Sequence, residues 1–138
     1  MAVSQRDFAA AVGTVAGEAL NESFEGQAAV VDVLANRVTY ARDGYGVITE
    51  PGIAGVARAG RYGPAGRAGM REFDAWSPGT NARAYATATM FERAILDPTY
   101  RETLPSASKA KLEQIERATH GVLVDGSLRG ITLSLIHI

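Results

Sequence analysis

The feature that most constrains this chain is an apolar stripe of Ala28, Val31, Leu34, Ala35 and Val38, recurring every three to four residues. That spacing places all five on one side of a helix. Ser23 stands before the stripe as its N-cap and Asp43-Gly44 follows as its stop, so the helix is expected to end near Ala41-Arg42. Three other stretches repeat the pattern. Ser4 and Asp7 open a first helix through Phe8, Val12, Val15, Ala16 and Ala19, with Glu18 on its last turn. Gly13 and Gly17 each cost that helix about 1 kcal/mol relative to Ala, a penalty tolerated where another backbone or a ligand comes close. Thr80 or Asn81 caps a third helix that buries Tyr85, Ala88, Phe91, Glu92 and Ile95, and Asp97-Pro98 stops it. Ser106 or Ser108 opens a fourth through Leu112, Ile115, Ala118, Thr119 and Val122. Lys109, Lys111, Glu113, Glu116 and Arg117 form its solvated face, and His120 near its end suits the helix dipole.

The expected fold is therefore mainly α, four helices around a small core with a long Gly-rich loop. The alternative is α+β, because Val122-Leu123-Val124-Asp125-Gly126 suggests a turn into an extended segment and a short terminal hairpin. With 138 residues the chain makes one domain. The loop from Gly44 to Gly69 is irregular, with Pro51 and Pro64 as further breakers. Gly60, Gly63, Gly66 and Gly69 recur every third residue, far too briefly for a collagen helix. Arg58, Arg61, Arg67 and Arg71 with Tyr62 read as a solvated loop rather than a polyanion site, since no aromatic–basic alternation is sustained. The glycines never precede Lys-Ser or Lys-Thr at the spacing of a phosphate loop.

Several function classes drop out. Charges of both signs nearly cancel, leaving a net charge of −1, so nothing global draws the chain to nucleic acid or an anionic membrane. Without cysteine there is neither a disulfide framework nor a thiolate metal site, and two distant histidines offer no zinc spacing or Ser-His-Asp triad. No metal and no cofactor are expected. The first residues lack the basic and apolar regions of a secretory signal, and no stretch is long enough to span a bilayer.

The chemistry concentrates between Gly17 and Gln27. Glu18 and Glu22 share a face if the first helix runs through Glu22, and converge from a helix end and a loop if it breaks at Leu20-Asn21. Like charges that close favour keeping one carboxyl protonated, as a general acid at neutral pH requires. Val15, Ala16, Gly17 and Ala19 give Glu18 a wall that could desolvate it, while Glu22 also reads as an ordinary helix-end charge. Gln27 falls on the first turns of the second helix, close to both acids. Asn36 and Arg37 read as structural, tying helix to loop. Trp76, the single tryptophan, is either a core anchor or, with Phe73, a cleft wall on which a sugar ring stacks.

Gly17-Glu18-Ala19, Glu22-Ser23, Glu25-Gly26-Gln27-Ala28-Ala29-Val30 and Leu34-Ala35-Asn36-Arg37-Val38 together resemble the opening of SleB-type cell wall hydrolases, the spore-cortex-lytic enzymes and their phage relatives. Phe73-Asp74-Ala75-Trp76 is similar to the family's Phe-Ser-x-Trp, and Gly126-Ser127-Leu128 with Ile131-Thr132 resembles the approach to its C-terminal motif. The chain departs at Leu20 and Asn21, where Arg and Gly are usual, in a longer Gly-rich insert before Phe73, and at its C-terminus. The resemblance implies a lysozyme-like small domain acting on peptidoglycan glycan strands, at the β-1,4 bond between N-acetylmuramic acid and N-acetylglucosamine. It implies lytic transglycosylation with Glu18 as the catalytic acid, and Glu22, Gln27, Phe73 and Trp76 as substrate-binding residues. A muramidase outcome and an inactive wall-binding or virion structural protein are the alternatives.

Where the resemblance implies Gly/Asn-Gly-Ala and an aromatic or His after Thr132, the chain has an apolar run, Leu133 to Ile138. Residues 1–132 are accordingly expected to be the catalytic domain, incomplete at its C-terminus, and 133–138 a non-native tail. A monomer acting at the bacterial cell wall is expected, made in the cytoplasm and phage-encoded given the lack of a signal.

Overall fold

The structure, a computed structural model, describes residues 3–40, 52–58 and 73–136. Its organising element is α1 (Gln5–Ala19), begun by Ser4, whose Oγ accepts from the Asp7 N–H at 3.0 Å. From Ala9 to Ala16 every residue of α1 is buried. A helix apolar all round belongs inside a bundle rather than on its surface. The amphipathic face expected of it is thus too narrow a description. Packed around it are α2 (Phe24–Tyr40), α3 (Gly52–Ala57), a 3-10 turn at Asp74–Trp76, α4 (Ala82–Leu96) and α6 (Ser106–Leu123). Two short helices, α5 (Pro98–Glu102) and α7 (Ile131–Ile136), complete the described elements.

Gly13 and Gly17 explain how α4 comes so near. A Cβ on Gly13 would stand 2.8 Å from the Ala88 carbonyl oxygen, and one on Gly17 3.0 Å from that of Ala84. The approach anticipated from these glycines is that of another backbone. The two helices run in opposite directions, with alanine facing glycine. The core then closes with Val12, Val15, Leu34, Phe91, Leu112, Ile115 and Val122, all nearly or wholly inaccessible.

All four long helices occur where periodicity predicts them, with Ser4, Ser23 and Asn81 accepting capping bonds as expected. Their faces need correction in two places. On α4 the buried residues are Ala84, Ala88, Phe91 and Ala94, so Tyr85 is exposed and Glu92 half-buried. On α6 the polar face is not simply solvated. Glu116 forks the Arg101 guanidinium of α5, which raises the arginine above its ordinary value, and Lys111 donates to Asn21.

The alternative of a terminal hairpin is overturned: no strand occurs among the described residues. After α6 an Asx turn forms in which the Asp125 carboxylate accepts from the Ser127 N–H and hydroxyl at 2.8 and 2.7 Å. Leu128 then lies on Gly121, where a Cβ would be 2.5 Å from its Cδ1. Helix α7 follows, running across the boundary expected after Thr132. The Gly-rich loop falls largely outside the described residues, as do Arg61, Tyr62, Arg67 and Arg71. Its described piece, 52–58, is helical over Gly52–Ala57 with Ile53 to Ala57 buried, and Arg58, expected in a solvated loop, is part-buried against Glu92. No described helix is long and apolar enough to cross a membrane.

Candidate functional site

Helix α1 ends at Ala19, so of the two arrangements open to the acids the second is found: Glu18 closes a helix and Glu22 sits in the turn after it. Gly17 sets the geometry there. A Cβ at Gly17 would lie 2.5 Å from the Ala75 Cβ, so only glycine lets the 3-10 turn rest directly on α1. That contact brings the Ala75 N–H, which has no partner inside so short a helix, to Glu18 Oε1 at 3.3 Å. The remainder of the Glu18 side chain is exposed, and the expected desolvating wall does not enclose it.

Trp76, the next residue of the turn, is 5% exposed and belongs to the core. Its Nε1 donates to Thr14 Oγ1 on α1 at 2.9 Å, and that hydroxyl donates to the Ala10 carbonyl. Arg58 lies over the indole with its Cζ 4.0 Å from the ring centroid, and pairs with Glu92 of α4. Tyr85 meets the indole edge-on, centroids 6.5 Å apart. Between Arg58, Trp76, Tyr85, Thr89 and Glu92 opens a cavity of about 150 Å³. Phe73 is half-buried against the core, with the Arg37 guanidinium 4.8 Å over its ring, so Arg37 does tie a helix to this segment.

Gln27 is also at the junction but has no exposed surface. Its Nε2 donates to the Ala19 and Leu20 carbonyls at 3.1 and 3.3 Å, satisfying acceptors that the end of α1 leaves open. Its Oε1 accepts from Gln114 of α6 at 2.8 Å. Gln27 therefore holds three helices together and presents nothing to a ligand. Glu22 is exposed and folds over Gly26 in the first turn of α2, a favourable place for a negative charge. The structure thus brings Glu18, Phe73 and Trp76 to one turn, leaves Glu22 beside it, and puts Gln27 underneath.

The sequence reading missed Asp32. Its carboxylate is 1% exposed and takes Arg129 Nη1 at 2.9 Å, the Gly130 N–H at 3.1 Å and the Thr132 hydroxyl at 2.8 Å. It sits at helical spacing among Ala28, Val31 and Ala35, and an acid inside an apolar stripe was the available signal. At the far end of α1, about 16 Å from Glu18 at 1.5 Å per residue, Asp7 accepts from the Ala54 N–H at 3.0 Å. There Asp7, Val38, Ile53, Leu123 and Arg129 border a cavity of about 290 Å³. Among the described residues no group of His, Asp or Glu could hold a metal ion. Comparison with protein-family models, curated proteins and solved structures finds no match to this chain.

Proposed function

We propose that the chain is a glycan-cleaving cell wall enzyme of lysozyme-like architecture, with Glu18 as its catalytic acid and the peptidoglycan MurNAc–GlcNAc β-1,4 bond as its target. One observation carries the reading. Two of the segments on which the sequence resemblance rests, Gly17–Gln27 and Phe73–Trp76, are far apart in the chain, yet meet through the Glu18 carboxylate and the Ala75 N–H. An accessible carboxylate aimed by a backbone donor suits general acid chemistry on a sugar.

In the transglycosylase form, Glu18 gives its proton to the glycosidic oxygen as the bond to the muramic C1 breaks. The carboxylate then takes the proton of the C6 hydroxyl, whose oxygen closes on C1 to form the anhydro ring. No water is consumed. Glu22, exposed on the same junction, orients the glycan, and Gln27 acts indirectly by fixing the α1–α2 corner. In a muramidase form Glu22 would instead hold the attacking water.

The non-enzymatic reading has its own observation: Glu18 also serves as a cap for the Asp74–Trp76 turn, a role any structural acid could fill. Two substitutions separate catalysis from capping. Glu18→Gln keeps an oxygen for the Ala75 N–H but no acid, and should cut muropeptide release by about 10²–10⁴-fold at unchanged melting temperature. Glu18→Ala loses both. Release by Glu18→Gln within a few-fold of the parent ends the assignment, and no release by the parent favours the binder. Anhydro-muramyl ends in the digest, read by mass spectrometry, mark transglycosylation, and reducing ends mark the muramidase.

A further inference from the structure

We propose that the cavity between Tyr85, Trp76, Arg58, Thr89 and Glu92 is a saccharide subsite that receives one pyranose ring of the glycan beside Glu18. This rests on the glycan-cleaving reading for its ligand, but on separate residues for its argument. The cavity, about 150 Å³, is below the roughly 300–1,000 Å³ of sites for larger small molecules, and suits a single ring. Its position is fixed through shared contacts. Gly17, beside Glu18, touches Ala84, beside Tyr85, and both helices carry the Asp74–Trp76 turn. Glu18 and Tyr85 each reach that turn, one at the Ala75 N–H and the other at the Trp76 ring.

The lining is mixed in a way that selects for sugar. Tyr85 is an aromatic side chain 37% exposed although it sits beside the buried indole. Such a ring offers an apolar face to the C–H face of a pyranose and a hydroxyl at its edge. Trp76 directs its only polar atom inward to Thr14, so it supplies floor and no hydrogen bond. Arg58 and Glu92 pair through Glu92 Oε2, placing donors and acceptors side by side with no net charge. Thr89 donates to the Tyr85 carbonyl at 2.7 Å, which leaves its oxygen as an acceptor. A neutral wall of alternating donors and acceptors around an aromatic face fits hydroxyl and acetamido groups, and fits a phosphate poorly.

The single tryptophan makes the test direct, because intrinsic fluorescence reports the floor of the cavity. A β-1,4-linked tetrasaccharide of N-acetylglucosamine should change Trp76 emission saturably. Tyr85→Ala should weaken that binding at least tenfold, and Tyr85→Phe and Thr89→Val several-fold. In peptidoglycan digestion Tyr85→Ala should raise KM more than it lowers kcat. Absence of saturable binding, or equal binding by Tyr85→Ala and the parent, overturns the subsite. Muropeptide release indifferent to Tyr85→Ala overturns it too while leaving the catalytic reading intact. Binding that depends on Tyr85, without any release, supports the subsite and defeats the catalytic reading.

Discussion

Gln27 falls by sequence on the first turns of a helix, and the resemblance implies substrate binding there, but its buried bonds to Ala19, Leu20 and Gln114 give it a different task. Gln27→Met keeps volume and removes every one of those bonds. Each buried polar group left unsatisfied costs about 1–3 kcal/mol, so urea unfolding should show a loss of about 2 kcal/mol or more. Loss below half that would mean the α1–α2 corner holds by packing alone. Asp125 offers a gentler case. The Ser127 hydroxyl and then its N–H hold the Asp125 carboxyl below its ordinary value of 3.8, with a smaller contribution from His120. A carboxyl lowered in the folded state stabilises above its unfolded value and loses that stabilisation as pH falls through the folded one. The Asx turn should therefore persist through pH 4 and loosen only below 3.8, which the Ser127 amide resonance would report. A midpoint above 3.8 would contradict the observed bonding.

At the scale of elements, period and caps carried the four long helices because each spans enough turns to display a face. The short ones escaped for physical reasons. α3 and α7 have six residues each, too few for a period, and both are begun by distant carboxylates: Asp7 accepts from the Ala54 N–H, and Asp32 from those of Gly130 and Thr132. α5 did carry a local signal. Asp97 accepts from the Tyr100 N–H and Pro98 takes the first turn, so the residues that stop α4 also start α5. The face of α4 was misjudged at Tyr85 because that side chain is larger than the alanines, Ala84 and Ala88, that the α1 glycines require opposite them, whereas Ile95 does pack against the core. The site inherits this. Glu18, Phe73 and Trp76 were visible as residue types, but their meeting depends on Gly17, which sequence marks only as a possible close approach. Gly17→Ala should force the Asp74–Trp76 turn off α1, since the added carbon would lie 2.5 Å from the Ala75 Cβ. Overpacking of this kind costs about 1–3 kcal/mol. Trp76 emission should shift, and muropeptide release should fall although Glu18 is intact. An alanine variant with unchanged emission and melting temperature would remove Gly17 from the account of the site.

Across the whole molecule, side chains on α1 and α2 hold the ends of other elements, most of them far away in sequence. Asp7 receives α3, Glu18 the 3-10 turn, Gln27 the end of α1 itself, and Asp32 the segment leading into α7. Asp32 is the most demanding of these, because its charge is buried while its partner Arg129 is 38% exposed at the side chain. The asymmetry makes opposite substitutions unequal. With Arg129→Leu, Asp32 keeps the Gly130 N–H and the Thr132 hydroxyl but loses its counter-charge, and breaking a buried pair from that side costs about 3–5 kcal/mol. Asp32→Ala leaves Arg129 able to turn into water, so the global cost should be smaller, while Gly126–Ile136 loses most of its bonds to α2 and keeps those of Arg129 to Asn36 and Thr132 to Ala29. Hydrogen exchange distinguishes the two outcomes. In Asp32→Ala, amides 130–136 should exchange far faster than those of α1 and α6. In Arg129→Leu, exchange should rise throughout the bundle as its overall stability falls. Because Asp32 lies about 12 Å along α2 from Phe24 at 1.5 Å per residue, neither substitution touches the Glu18 junction directly. Asp32→Ala should then retain tetrasaccharide binding at Tyr85. Loss of that binding in a variant with a native core would show that the C-terminal helix supports the glycan site as well as packing on α2.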